Sequence, residues 1–154
     1  ASRNVKNALL FNVLSYLSDK LLTKGNTAAG LDELYIWLSN LTAIEYIRNS
    51  LKRVRKKESS MILASQNLED FNQEGIRELT KPLFAIPPHQ FLFNAGAVDK
   101  KFYMEALQLE ESEYNLIRFP QRGVCLYRCG NERYLLEVHA PPYKEKLFGT
   151  AGGR

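Results

Sequence analysis

Cysteine is nearly absent from this chain: Cys125 and Cys129 are the only two in 154 residues. On one strand they would stand about 13 Å apart at roughly 3.3 Å per residue. A disulfide needs Cα atoms about 4.4–6.8 Å apart. Two free thiols are therefore expected, as in a reducing cytoplasm. Histidine is as scarce: His89 and His139 stand alone, and no pair of Cys or His residues has metal-ligand spacing. No apolar run approaches the roughly 18–20 residues that cross a bilayer. The opening residues, Ala1-Ser2-Arg3-Asn4, lead into no secretory h-region. Charge of one sign is not in large excess either. The 21 Lys and Arg against 17 Asp and Glu leave +4, which permits anionic ligands without itself implying nucleic acid.

A complete phosphate loop is also missing. Residues 25–30 have the form G-x-x-x-x-G, but Leu31 and Asp32 follow where such a loop continues with Lys and Ser or Thr. Lys supplies charge to the phosphates and the hydroxyl binds magnesium, so residues 25–30 read as a flexible linker. Thr27 to Leu31 also lack the bulky side chains of a central strand.

What is present suits a globular chain of one domain, 45% hydrophobic and 25% charged. Leu10, Leu14, Leu17 and Leu21 follow helical spacing, with Val5, Leu9, Val13 and Tyr16 as a second stripe. A helix over 4–22, buried on more than one side, is expected. A long helix is expected over 34–55, from the stripe Leu34, Trp37, Leu38, Leu41, Ile44, Leu51 and Val54. Residues 60–65 read as a buried strand at the centre of a sheet. A helix over 70–79 ends before Pro82. Strands follow at 83–86 and 90–93, then helices at 98–107 and 111–119. Strands 123–129 and 133–139 flank Gly130-Asn131, a hairpin turn signal. Pro141-Pro142 opens a last short helix, and 150–154 reads as a frayed tail.

Three pieces carry chemistry, and their order matters more than any one of them. Asp32-Glu33 is an adjacent acid pair. At a strand end, an Asp can hold Mg²⁺ through water while the neighbouring Glu orients an attacking water. The plain alternative is two acids favouring a helix dipole. Arg48, Lys52, Arg53, Arg55, Lys56 and Lys57 then concentrate positive charge at a helix end. They either compensate the dipole or supply an arginine to a γ-phosphate across a subunit boundary. Finally Gln66 and Asn67 follow the 60–65 strand, where ligands of open α/β sheets gather. A glutamine there either senses a γ-phosphate and positions water or is a loop amide. Acid pair, arginine-bearing helix end and polar-tipped strand follow one another as in the second half of a P-loop ATPase core.

With these residues in this order, the chain resembles the C-terminal part of the conjugation ATPases of type IV secretion systems, the VirB-four, TraC and TraE-like group. The resemblance covers nearly the whole chain. It rests on Leu31-Asp32-Glu33-Leu34, Leu51-Lys52-Arg53-Val54-Arg55-Lys56, Ala64-Ser65-Gln66-Asn67-Leu68-Glu69-Asp70, Leu107-Gln108-Leu109-Glu110-Glu111-Ser112-Glu113, and Arg122-Gly123 at the start of the final hairpin. It implies an α/β, RecA-like three-layer core in its second half, with a C-terminal β-hairpin. The family carries its Walker A loop upstream, so residues 1–154 would be the portion without that half. The implied substrate is ATP, with Mg²⁺ at Asp32. Glu33, Gln66 and Arg55 would be catalytic, and Arg53, Arg122 and Gly123 would bind nucleotide, Arg53 and Arg122 also standing as alternatives to Arg55. The implied setting is an oligomer with other secretion-system subunits and inner-membrane channel components, peripheral at the cytoplasmic face, powering pilus assembly and transfer of DNA or protein. Two further readings stand beside it: a non-catalytic binding or assembly domain, and a fragment of a RecA-like DNA translocase, for which DNA would be a direct partner.

Overall fold

A computed structural model describes residues 3–66 and 68–149. The expectations for Asn67 and for the tail at 150–154 lie outside the described residues. In chain order the elements are α1 (Arg3–Ser18), β1 (Ala28–Leu31), α2 (Leu41–Arg53), β2 (Ser60–Leu63), α3 (Arg77–Ala85), β3 (His89–Leu92), α4 (Lys100–Leu107), α5 (Glu111–Leu116), β4 (Val124–Cys129), β5 (Glu132–Glu137) and α6 (Pro142–Phe148). They fall into two compact units. One is Ala1–Pro87 with Ala97–Gln108, the other Pro88–Gly96 with Leu109–Arg154. No helix among the described residues is long and apolar enough to cross a membrane.

The first unit is built on β1 and β2, which pair in parallel from Ala28↔Ser60 to Leu31↔Leu63. The linker expected at 25–30 is thus in part a strand. Local propensity misses it because Ala, Ala and Gly are poor strand formers, and what specifies β1 is its partner. Ala29 is buried with Leu21 and Val54. The strand at 60–65 is shorter than expected and is not central among the described residues: β1 alone pairs with it, and Ile62 is 66% exposed.

The long helix expected over 34–55 is three pieces. Leu34–Ser39 is a 3-10 helix, α2 follows, and Val54–Lys57 is a second 3-10 helix. Asn40 makes the first break. Its backbone is extended, and its side-chain oxygen accepts from the N–H groups of Thr42 and Ala43 at 3.0 and 3.2 Å, an N-cap satisfying two orphan donors. From there Ala43, Ile44 and Ile47 at helical spacing enter a core with Leu14, Leu34, Leu38, Phe71, Ile76 and Leu83. Helix α1 contributes Leu14 to that core and runs on into a π-helical turn at Asp19–Lys24, where Leu21 is buried. Its second stripe, Val5, Leu9, Val13 and Tyr16, is exposed rather than buried; it meets no covering element among the described residues.

Two further expectations fail together. The helix foreseen at 70–79 is a short 3-10 helix, Leu68–Asn72, and then α3, which contains Pro82 and runs to Ala85. The strand foreseen at 83–86 is therefore helical. Tertiary burial decides here: Leu83 lies in the core, and the Phe84 ring sits 5.1 Å from that of Phe71. Thr80, fully buried, satisfies its hydroxyl on the carbonyls of Arg77 and Phe71.

The second unit is a three-stranded antiparallel sheet in the order β3-β4-β5. Gly130-Asn131 lies between β4 and β5, whose register runs from Cys129↔Glu132 to Val124↔Glu137. Phe91, Tyr127 and Tyr134 stand opposite one another across the three strands, with stacked rings at 4.7 and 6.1 Å. Such cross-strand aromatic pairs hold register. Helix α5 opens on a reciprocal cap between Glu110 and Glu113. The Glu113 carboxylate also accepts from Arg133 Nε at 2.7 Å. Gly123 sits at φ 79°, with the Val138 carbonyl packed where a Cβ would go; only glycine fits both demands.

Candidate functional site

The β1–β2 ladder continues one step past the two strands. Ala64 N–H donates to the Leu31 carbonyl and Leu34 N–H donates to the Ala64 carbonyl, each at 2.9 Å. Asp32 and Glu33 are the two residues spanned by that last step. They emerge at the C-terminal end of β1, beside the C-terminal end of β2. The chain can turn so tightly because Glu33 adopts a left-handed backbone, φ 51° and ψ 51°. A side-chain-bearing residue takes that conformation at a cost of roughly 1–3 kcal/mol and keeps it only where the surroundings impose it.

Those surroundings can be named. The Asp32 Oδ1 accepts the Glu33 N–H at 2.8 Å, which pins the turn through one carboxylate oxygen. The Gln66 side-chain amide, three residues past β2, donates to Glu33 Oε1 at 2.9 Å. Glu33 is therefore held at both its backbone and its carboxylate. Among the described residues no ion pair neutralises Asp32 or Glu33. The result is a pair of exposed or half-exposed acids, one oriented by a neutral amide, at the mouth of a parallel strand pair.

The structure thus brings together Asp32, Glu33 and Gln66. The arginines lie elsewhere. Arg53 ends α2 and Arg55 lies in the 3-10 helix before β2, so both precede the strand whose far end carries Gln66. They are exposed and sit at the opposite end of the strand pair from Glu33. Arg122 and Gly123 belong to the second unit, just before β4. One positioning residue escaped the sequence reading: Ser59. Its buried hydroxyl donates to the Leu21 carbonyl at 2.8 Å and accepts from Thr27 N–H at 3.2 Å. It ties the starts of both strands to the end of the π-helical turn. Its only sequence signal is a small polar residue ahead of an apolar run.

The thiols offer no second centre. Cys125 and Cys129 are both free, and burial pushes the Cys125 thiol above its ordinary value, away from the reactive thiolate. No group of three or more His, Cys, Asp or Glu is placed to hold a metal ion among the described residues. The donors at 32–33 fit a different kind of ion. Magnesium takes hard oxygen ligands and is usually held by one or two carboxylates together with water and substrate phosphates. An exposed Asp with no cationic partner meets that requirement.

By class, this is a mixed helix-and-strand chain with small sheets, and Asp32, Glu33 and Gln66 meet past the C-terminal ends of its two parallel strands, the end at which open α/β sheets take their ligands. The particular likeness is to VirB4 of Thermoanaerobacter pseudethanolicus. That solved structure matches at a TM-score of 0.81 and 29% identity over 95% of this chain. The chain spans 40% of the length of that VirB4 chain. This supports the resemblance, read in the sequence, to the C-terminal part of VirB4-like type IV secretion ATPases. No family model and no curated protein matches the chain.

Proposed function

We propose that this chain carries the water-activating half of an ATPase that powers a type IV secretion system. One observation carries the reading: Gln66, at the end of one parallel strand, hydrogen-bonds the carboxylate of Glu33, at the end of its neighbour. Glu33 takes the part of the group that orients water against a γ-phosphate, and Gln66 the part that holds Glu33 in place. Asp32 would hold magnesium through water; when bound, the ion neutralises charge on the phosphates. The likeness to a VirB4 chain of which this one spans 40% supports the rest as proposals. These are a RecA-like three-layer core to which β1 and β2 belong, and a phosphate-cradling loop supplied by another part of a longer protein. They extend to assembly into an oligomer at the cytoplasmic face of a membrane, and to work on pilus assembly or DNA and protein transfer. Arg55, at the far end of β2 from Glu33, serves a neighbouring subunit's nucleotide and not its own, with Arg53 as the alternative. Arg122 and Gly123 are further nucleotide contacts in this scheme.

The test is a double-mutant cycle on turnover in the full-length protein, with Glu33→Gln and Gln66→Ala alone and together. If Gln66 acts by holding Glu33, the double variant is hardly slower than Glu33→Gln. Losses that multiply would separate the two residues and remove the pair as the working unit.

A further inference from the structure

Strand β5 is the last of the second unit's sheet, and among the described residues no strand pairs with its outer side. At its end Val138 N–H donates to the Gly123 carbonyl at 2.9 Å. Bonded pairs alternate along an antiparallel ladder. Tyr134 and Leu136 therefore turn their backbone groups to β4, while Arg133, Leu135 and Glu137 turn theirs outward. An open edge of this kind is a template for another strand, and proteins blunt it with proline, lysine or a bulge. At the other side of the sheet, β3 follows directly on Pro87-Pro88. β5 has neither proline nor lysine, and it pairs residue for residue with β4 along its whole length.

The side chains on this edge complement one another. Arg133, Leu135 and Glu137 stand at alternate positions and share one face. A second copy turned about a two-fold axis at Leu135 sets its Glu137 opposite Arg133, its Arg133 opposite Glu137 and its Leu135 opposite Leu135. Leu135 is 54% exposed, yet it ends a cross-strand row whose other members, Leu92 and Leu126, are buried. The second copy continues that row with its own leucine. On the opposite face Tyr134, 46% exposed, meets the Leu136 of the other copy. Arg133 holds Glu113 through Nε and the Gly130 and Glu132 carbonyls through Nη1; its Nη2 takes part in none of these bonds. The neighbouring registers fit worse. Centring on Arg133 or on Glu137 puts like charges face to face, which destabilises a strand pair. Centring on Tyr134 sets Arg133 against Leu135, and centring on Leu136 sets Glu137 against it.

We propose that β5 is a self-pairing edge: two copies of the chain join it antiparallel about Leu135, merging their two three-stranded sheets into one. A two-fold contact uses the same surface on both copies and closes after two. It is therefore separate from the contact that would bring Arg55 to a neighbouring subunit's nucleotide, which joins unlike surfaces. Nor does it rest on the reading of Asp32 and Glu33, which belong to the first unit.

Sedimentation velocity of the 154-residue chain tests it. Six residues a side fall below the roughly 20–30 of a standard interface. A reversible dimer is therefore expected at concentrations on the order of 100 µM. Leu135→Lys and Leu135→Glu, each alone, should weaken association roughly tenfold or more, because each new charge faces itself. Mixed in equal amounts, the two variants should dimerise again, since a two-fold axis at this position is what sets residue 135 against residue 135. If either variant fails to fold, as judged by circular dichroism, Glu137→Arg carries the test. It faces Arg133 of the other copy and should weaken association by a similar factor. A monomer at about 500 µM, well above the range where so small a contact is expected to form, would overturn the proposal. So would association indifferent to these substitutions, or a mixture of the Lys and Glu variants that associates no better than either alone.

Discussion

At Glu33 three constraints meet on one residue: a left-handed backbone, an N–H given to Asp32, and a carboxylate held by Gln66. A glutamate bears that backbone badly, while asparagine bears it well because its short polar side chain bonds locally. Glu33→Asn is therefore expected to leave the unfolding free energy unchanged or to raise it by up to about 1 kcal/mol, while removing the proposed water-orienting group. Urea unfolding of the chain checks the first half. A loss of stability beyond about 1 kcal/mol would mean that the Gln66 bond is a structural tie rather than a functional one. Strain kept at a residue whose replacement stabilises the fold is the usual mark of a working site.

At the scale of elements, periodicity located the helices better than their ends. The stripe residues Ile44 and Leu51 fall in α2, but nothing periodic reveals that Asn40 interrupts 34–55; that depends on a side chain bonding its own backbone. Two substitutions separate these contributions. Asn40→Ala should cost about 1 kcal/mol as a lost cap, and Ile44→Ala, wholly buried, about 2–5 kcal/mol as a cavity. Equal costs in thermal or urea unfolding would contradict this division. Strand β1 was illegible because its pairing with β2 lies more than a helix away in sequence, and Ala28, Ala29 and Gly30 carry no strand signal of their own. Pro82 misled for the complementary reason: Leu83 and Phe84 gain enough by burial beside Phe71 to carry α3 through it. Of the candidate residues, Asp32, Glu33 and Gln66 come together at one end of the strand pair, whereas Arg53, Arg55, Arg122 and Gly123 lie elsewhere. The contact between Glu33 and Gln66, which turns order into geometry, has no trace in sequence.

For the whole molecule, the arrangement of the first unit sets what can cooperate. Glu33 and Gln66 stand at one end of β1 and β2, and Arg55 at the other. If Arg55 works, it works on another subunit's nucleotide. In the full-length protein Arg55→Ala should lower turnover by roughly 10³–10⁵ with ATP binding retained, and Arg55→Lys should not rescue it, lacking the planar fork. Mixed oligomers of Arg55→Ala and Glu33→Gln subunits should recover part of the activity. No recovery in assemblies shown to contain both would end the cross-subunit role. All of this depends on the acid at the end of β1, so the most direct measurement is ATP turnover by full-length protein carrying Glu33→Gln, with nucleotide binding followed in parallel. The account predicts a loss of about 10²–10⁴-fold at unchanged ATP affinity, whereas turnover within a few-fold of the unaltered protein would contradict it.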